Sequence, residues 1–304
     1  MRPIPPAASI DKNRMAIIGM GAATRHRRLF LAQHAVCAFC GGKERAVTIE
    51  HCPPRAMFQY RQWPEGFEFP ACTLCNQGTD NEDLLVAVLA RMNPFEEKVD
   101  SDGKTEGLMR MANKQYPGLF EKMMPSAREA RRFNREMGVI PRPGQTHQET
   151  GVVKVPDELH EAVCVLGRKL AKGIFYRETL QIFPDSGCLI LNWFTNADLV
   201  RDGKYAVFEL LKEIGGDAPP TERSGKPLGD QFEYKLSLAA ERNVFVLQAR
   251  FGAAFGLVVF GSTVPDLLES QIAELRERES RPGPFSILQS PILAQGDPGP
   301  FLGK

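Results

Sequence analysis

Hydrophobic positions recur at helical spacing in two stretches and alternate at strand spacing in several others. In PDELHEAVCVLGRKLAKGIF, from residue 156, Leu159, Val163, Leu166, Leu170 and Ile174 form an apolar stripe at helical intervals and predict a long amphipathic helix. From Asp80 onward, NEDLLVAVLARM predicts another, with acids in its first turn and Arg91 in its last, both favourable to the helix dipole. Ser126-Ala127-Arg128-Glu129 fits a capping box and starts a third. A further helix is expected around 197–213. Strand character appears at Ala46-Val47-Thr48-Ile49 and at Phe67-Glu68-Phe69. It returns at GCLILNWF, in the alternation of Phe232, Tyr234, Leu236 and Leu238, at Val244 and Val246, and at FGLVVFG. The last three runs predict an antiparallel meander.

These elements divide the chain into five zones: a basic arm (1–36), a cysteine- and histidine-bearing module (37–92), a basic helical connector (93–150), a separate α+β unit (151–280) and an irregular Pro/Gly-rich tail (281–304). The predicted fold class is α+β, a small N-terminal module followed by a larger α+β domain with an antiparallel sheet. No internal repeat is visible.

Composition narrows the picture. With 43% hydrophobic and 25% charged residues, the 304-residue chain can bury a core. The net charge of +1 rules out a polycation, so affinity for nucleic acid would have to come from local patches. The arm carries six Lys or Arg against one Asp, and residues 104–142 carry nine against four Glu. No run reaches the roughly 18 apolar residues of a membrane span, so no membrane partner is expected. Residues 1–14 read as a disordered leader, with Met15 an alternative start. The stretch MAIIGMGAA (15–23) is too short for a secretory core. It also lacks the βαβ context of a dinucleotide site, because the first cysteine pair follows instead.

Four of the seven cysteines stand in two Cys-x-x-Cys pairs, Cys37/Cys40 and Cys72/Cys75, with 31 residues between the pairs. This arrangement suits metal binding in a reducing compartment better than a disulfide framework, so a cytoplasmic location is expected. Two such knuckles supply the tetrahedral thiolate set that Zn²⁺ prefers, and a closed set of four thiolates is structural. Cys52 reads as a buried spectator or an alternative ligand, Cys164 and Cys188 as core, and His34 as surface. His26, His147 and His160 show no partners in the sequence.

Between the knuckles stands Glu50-His51-x-Pro53, and Asn76 directly follows the last cysteine. Together, Cys37-x-x-Cys40, Glu50-His51-x-Pro53 and Cys72-x-x-Cys75-Asn76 resemble a zinc-stapled HNH endonuclease module, the ββα-metal fold, over about residues 34–92. The resemblance implies phosphodiester hydrolysis in nucleic acid, with DNA the expected substrate. It implies His51 as general base, Glu50 as ligand of a catalytic Mg²⁺ or Mn²⁺ distinct from the zinc, and Asn76 as the brace of the histidine loop. Glu50 stands where the family more often has Asp. The family's third metal ligand falls at Leu84 or Leu85, which cannot ligate; Asp83 is the best substitute and Asp80 the next. An imidazole with an ordinary pKa near 6.5 can take a proton from water at neutral pH.

Phosphate contacts are expected from Arg25, Arg27 and Arg28 and from the helical face Arg128/Arg131/Arg132/Arg135, which reads equally well as solvated surface. No base-reading motif is present. Trp193, Phe194 and Tyr234 read as core. Two other readings remain open. In one, the module is a silent zinc unit that binds nucleic acid or a protein partner. In the other, residues 151–304 are the main actor, as a ligand sensor or a homo-oligomer assembly unit.

Overall fold

A computed structural model describes residues 21–92, 102–150, 152–197, 202–239, 241–278 and 285–291. The leader, most of the 15–23 stretch, part of the helix expected around 197–213 and most of the tail lie outside these residues. The chain is mixed helix and sheet, and the sheets are antiparallel. No described helix is long and apolar enough to cross a membrane.

Helix α1 (Ala22–Gln33) leads into a small hairpin of β1 (Thr48–His51) and β2 (Glu68–Ala71), in which Glu50 stands opposite Phe69 and His51 opposite Glu68. A short helix α2 (Thr73–Gln77) follows, then α3 (Asp80–Arg91). The strand–loop–strand–helix order expected for this module is therefore present. Helix α3 has Asp80, Glu82 and Asp83 in its first turn and Arg91 in its last, and it buries Leu85, Val86, Ala87, Val88 and Leu89. Arg91 braces the loop after β1. Its guanidinium donates to the carbonyls of Ala56 (3.0 Å) and Phe58 (2.8 Å) and pairs with Asp102 at 2.7 Å.

Three helices form the connector: α4 (Thr105–Gln115), α5 (Leu119–Met123) and α6 (Ala127–Glu136). Helix α6 begins with the full Ser126/Glu129 capping box. Of its arginines, 128, 131, 132 and 135 are all exposed.

The 23-residue helix α7 (Asp157–Thr179) is the central element. At about 1.5 Å per residue it is roughly 35 Å long, and all five residues of its predicted stripe are buried. It packs between the small module and a five-stranded sheet. The sheet contains β3 (Cys188–Thr195), β6 (Glu233–Leu238), β7 (Val244–Phe251), β8 (Phe255–Ser262) and β9 (Phe285–Gln289), in the order β6-β7-β8-β3-β9. Helix α8 (Ala206–Leu210) and a two-stranded hairpin, β4 (Glu222–Arg223) and β5 (Lys226–Pro227), lie between β3 and β6. Helix α9 (Glu269–Arg278) covers the other face of the sheet through Ile272, which packs with Cys188 and Ile190.

Two expectations change. The tail reads as irregular in sequence, yet Phe285–Gln289 pairs with β3 as an edge strand; the Pro and Gly around it mask a short apolar run. Residues 37–92 and 151–280 read as separate units, yet one contiguous buried cluster runs from Cys37 to Leu288. Gly173 of α7 lies so close to Phe69 of β2 that a Cβ there would come within 2.9 Å of the ring. Phe67 packs edge-on against Phe232 (5.3 Å) and Tyr234 (5.5 Å) of the sheet side. Cys164, Cys188 and Tyr234 are buried as expected, while Trp193 and Phe194 are half-buried.

Candidate functional site

The two knuckles meet. The sulfurs of Cys37, Cys40, Cys72 and Cys75 lie within 4.8 Å of one another, close enough to share one ion, and no other such group of potential ligands exists among the described residues. After Cys40 the chain reverses through Gly41 and Gly42, both at positive φ, a backbone state that glycine adopts without strain. The Phe39 amide donates to Cys37 Sγ and the Cys75 amide to Cys72 Sγ, each at 3.4 Å. The hydrogen bond between Cys75 and Cys37 lowers the Cys37 thiol and raises that of Cys75, so Cys37 is the sulfur of the pair that ionises first. Four converging soft donors with amide N–H groups aimed at their sulfurs fit a tetrathiolate zinc site. Cys52 stays outside the cluster as a buried core residue, its thiol raised by burial.

Asn76 ties this cluster to the histidine strand. Its side-chain amide donates to Thr48 Oγ1 (3.0 Å) and to the Ile49 carbonyl (3.1 Å), both in β1. The residue is held by α2, which is capped by Cys72, so the sulfur cluster and β1 are joined as one piece.

Strand geometry then separates Glu50 from His51, because successive side chains leave a strand on opposite faces. Glu50 points inward and is 5% exposed. It forms a buried ion pair with Lys169 of α7, whose ammonium also donates to Thr79 Oγ1 (2.7 Å) and lies 3.8 Å from Asp83. Burial raises the Glu50 carboxyl to about 7, against the pull of Lys169, and raises Asp83 to about 6. Burial also opposes the charge on Lys169, but Asp83 and Glu50 outweigh it, so the ammonium is held above its ordinary range. The motif assigns Glu50 and Asp83 to a hard cation; the cation between them here is the protein's own. A second ammonium from α7, Lys172, caps the Phe39 carbonyl at 3.0 Å. Leu85 is buried and Leu84 half-buried, as their apolar side chains require, and Asp80 is exposed.

His51 points the other way. Its Nε2 lies 3.1 Å from Glu68 Oε1, its cross-strand neighbour, and the second oxygen of Glu68 is 3.6 Å from His26 Nε2. Arg55 Nη2 approaches the same ring, 3.1 Å from Nδ1 and 2.6 Å from Nε2. Arg55 Nη2 can only donate, and its shorter contact is to Nε2, the nitrogen that also faces Glu68, so the guanidinium and the carboxylate compete for one ring nitrogen and Arg55 covers the lone-pair edge of the ring. Burial first, then the Arg55 charge, pulls the His51 pKa below 6.5, against Glu68. The Trp63 indole stands edge-on to the imidazole at 6.2 Å.

The other histidines have partners. His34 Nδ1 is 2.7 Å from the Tyr176 hydroxyl, His147 meets Asn134, and His160 accepts from Trp193 Nε1 at 2.9 Å. In the basic arm, Arg27 donates to the Val47 carbonyl at the foot of β1 (2.7 Å).

Sequence reasoning misses Lys169, Glu68, Arg55, Trp63 and Arg223. Lys169 and Lys172 carry a signal, two charges inside an apolar helical run, and so does Glu68, a lone acid between two phenylalanines. Arg223 leaves no local signal. No family model, curated protein or solved structure matches the chain.

Proposed function

We propose that the chain is a zinc-stapled, HNH-type endonuclease that hydrolyses phosphodiester bonds in nucleic acid, DNA being the expected polymer, with His51 as general base. The observation that carries this reading is the brace from Asn76 to the strand of His51. It couples a sulfur cluster to an imidazole that is half-buried, oriented by a carboxylate and biased towards its neutral form. A neutral, oriented imidazole can take a proton from an attacking water. For that, water must replace Arg55 at the ring nitrogen that carries the lone pair. The displaced guanidinium is then available to a phosphate, the electrostatic stabilisation such a reaction needs. Asn76 acts as a positioning residue.

Glu50 and Asp83 do not fit the Mg²⁺ or Mn²⁺ that the resemblance assigns to them, because both already face the Lys169 ammonium and Glu50 is buried on the strand face opposite His51, so no step is derived through that ion. The Lys169 ion pair also favours a second reading, in which the module is catalytically silent and binds nucleic acid or a partner protein, with the sheet as sensor or assembly unit.

A plasmid-nicking assay separates the two. Zinc-loaded protein is assayed with Mg²⁺, with Mn²⁺ and with neither, beside His51→Ala. Nicking that falls by about 10² or more in His51→Ala supports the nuclease. Nicking that survives the substitution removes His51 as the base, and no nicking under any condition favours the silent module.

A further inference from the structure

The face of β1 that carries His51 holds two arginines stacked on one aromatic ring. Arg55 lies over the Trp63 indole with its guanidinium carbon 4.6 Å from the ring centroid, and Arg223 lies over the same indole at 3.8 Å. Arg223 comes from a part of the chain 160 residues away and is fixed by three contacts. Its Nη1 donates to the Trp63 carbonyl (3.3 Å), the Glu65 amide donates to the Glu222 carbonyl (3.0 Å), and the Ser224 amide donates to Glu65 Oε1 (2.8 Å). The β4–β5 hairpin is thereby docked on the loop before β2.

Among the described residues neither arginine forms an ion pair. The acids in reach are already used: Glu68 faces His51 and His26, and Glu65 accepts from Ser224. Bringing two like charges to one indole is unfavourable unless an anion joins them. Stacking leaves the edge of a guanidinium free, so its planar N–H donors can grip the oxygens of a phosphate. Beside this pair stand an aromatic ring and the His51 imidazole, and the two carboxylates nearby, Glu68 and Glu65, are held by His51 and His26 and by the Ser224 amide.

We propose that Arg55 and Arg223, clamped on Trp63, form the grip for a backbone phosphate of a nucleic acid beside His51, and that the β4–β5 hairpin thereby completes the site. This inference rests on the nuclease reading for its choice of ligand. The grip also governs the base. A phosphate that draws Arg55 towards Arg223 uncovers the lone-pair edge of the His51 ring, so the imidazole becomes free when substrate is bound.

The test measures binding apart from cleavage. Fluorescence anisotropy of a labelled phosphorothioate oligothymidylate gives affinity and its salt dependence for wild type, Arg55→Gln, Arg223→Gln and Arg223→Lys. Each Gln variant is expected to weaken binding about tenfold and to lower the log–log salt slope by about 0.7. Lys, which cannot stack and fork at once, should restore only part of the affinity. The chain has two tryptophans, 63 and 193, so Trp193→Phe leaves Trp63 as reporter, and its emission should respond to the oligonucleotide. Competition by thymidine monophosphate and by inorganic phosphate distinguishes the sources. If either displaces the oligonucleotide at an equal phosphate concentration, the site takes small phosphates and the polymer grip is wrong. Unchanged affinity and slope in both Gln variants overturns the proposal, with circular dichroism and zinc content confirming that they fold. Arginine-dependent binding without nicking keeps the grip and removes the nuclease; nicking indifferent to Arg223→Gln does the reverse.

Discussion

Glu50 and His51 are neighbours in sequence and share a strand, yet they belong to opposite kinds of chemistry. The Glu50 face is closed: a buried carboxylate, a second acid and a threonine hydroxyl surround one ammonium delivered by α7. The His51 face is partly open: an imidazole with one orienting carboxylate, beside two arginines that form no ion pair among the described residues. What reads in sequence as one acid–histidine pair is split by strand geometry into a closed half and a partly open half. A buried polar cluster with its donors and acceptors matched holds elements together, whereas cations without counter-charges attract anionic ligands. The C-terminal half of the chain acts on both faces, since α7 supplies the cation of one and the β4–β5 hairpin an arginine of the other.

The largest expected effect removes both faces together. The sulfur cluster holds β1 through Asn76, and a structural zinc contributes on the order of 10 kcal/mol to folding. Stripping the metal with a strong chelator, or replacing Cys75 with Ser, should unfold residues 37–92 and abolish protection of the β1 amides in hydrogen exchange. Metal analysis of the native protein should give one zinc per chain. Protection in β1 that persists after complete removal of zinc would show that α7 and the shared core hold the module without it.

The next effect falls on the Glu50 face alone. Lys169→Met leaves a buried carboxylate without its cation, which costs about 3–5 kcal/mol in unfolding experiments. The double variant Lys169→Met/Glu50→Gln should recover most of that loss, because a neutral amide needs no counter-charge. The effect depends on pH with a definite sign. The Glu50 carboxyl titrates at about 7 in the folded protein and near 4.5 when unfolded. Folding therefore favours its protonated form, and that contribution is full below 4.5 and lost as pH rises through 7. Without Lys169 the carboxyl shifts higher still, so Lys169→Met should be mild at pH 5 and severe at pH 8. A loss equal at both pH values would mean that Lys169 contributes packing rather than charge.

Much of this architecture is legible in the chain. The stripe of α7, the acidic start of α3, the capping box at Ser126 and the runs of the meander follow from local pattern, and the four cysteines announce their convergence by spacing. The site is legible only in part. His51 and Asn76 are marked by their places beside the knuckles, but the partners that decide their chemistry come from far away. Lys169 is 119 residues from Glu50 and Arg223 160 from Trp63, and no periodicity reports such meetings. The assignment of Glu50 to a metal shows the limit well: motif order can name a carboxylate, but only tertiary packing decides which cation faces it.

The smallest effect sharpens the His51 face. Burial and Arg55 hold the imidazole pKa below 6.5 while Glu68 resists. A general base acts unprotonated, so the acid limb of the kcat/KM profile should lie below pH 6.5 in the wild type. Arg55→Gln removes one depressing charge and should move the limb up towards 6.5. Glu68→Gln removes the opposing charge and should move it lower. The sign for stability is the converse of Glu50: the folded state gives up the His51 proton more readily than the unfolded chain, so this group weakens folding as pH falls through 6.5. Opposite shifts in the two variants are the mark of an imidazole set between a guanidinium and a carboxylate. A limb that stays in place in both would mean that the group titrating in the rate is not His51, and the proposed base would have to be sought elsewhere.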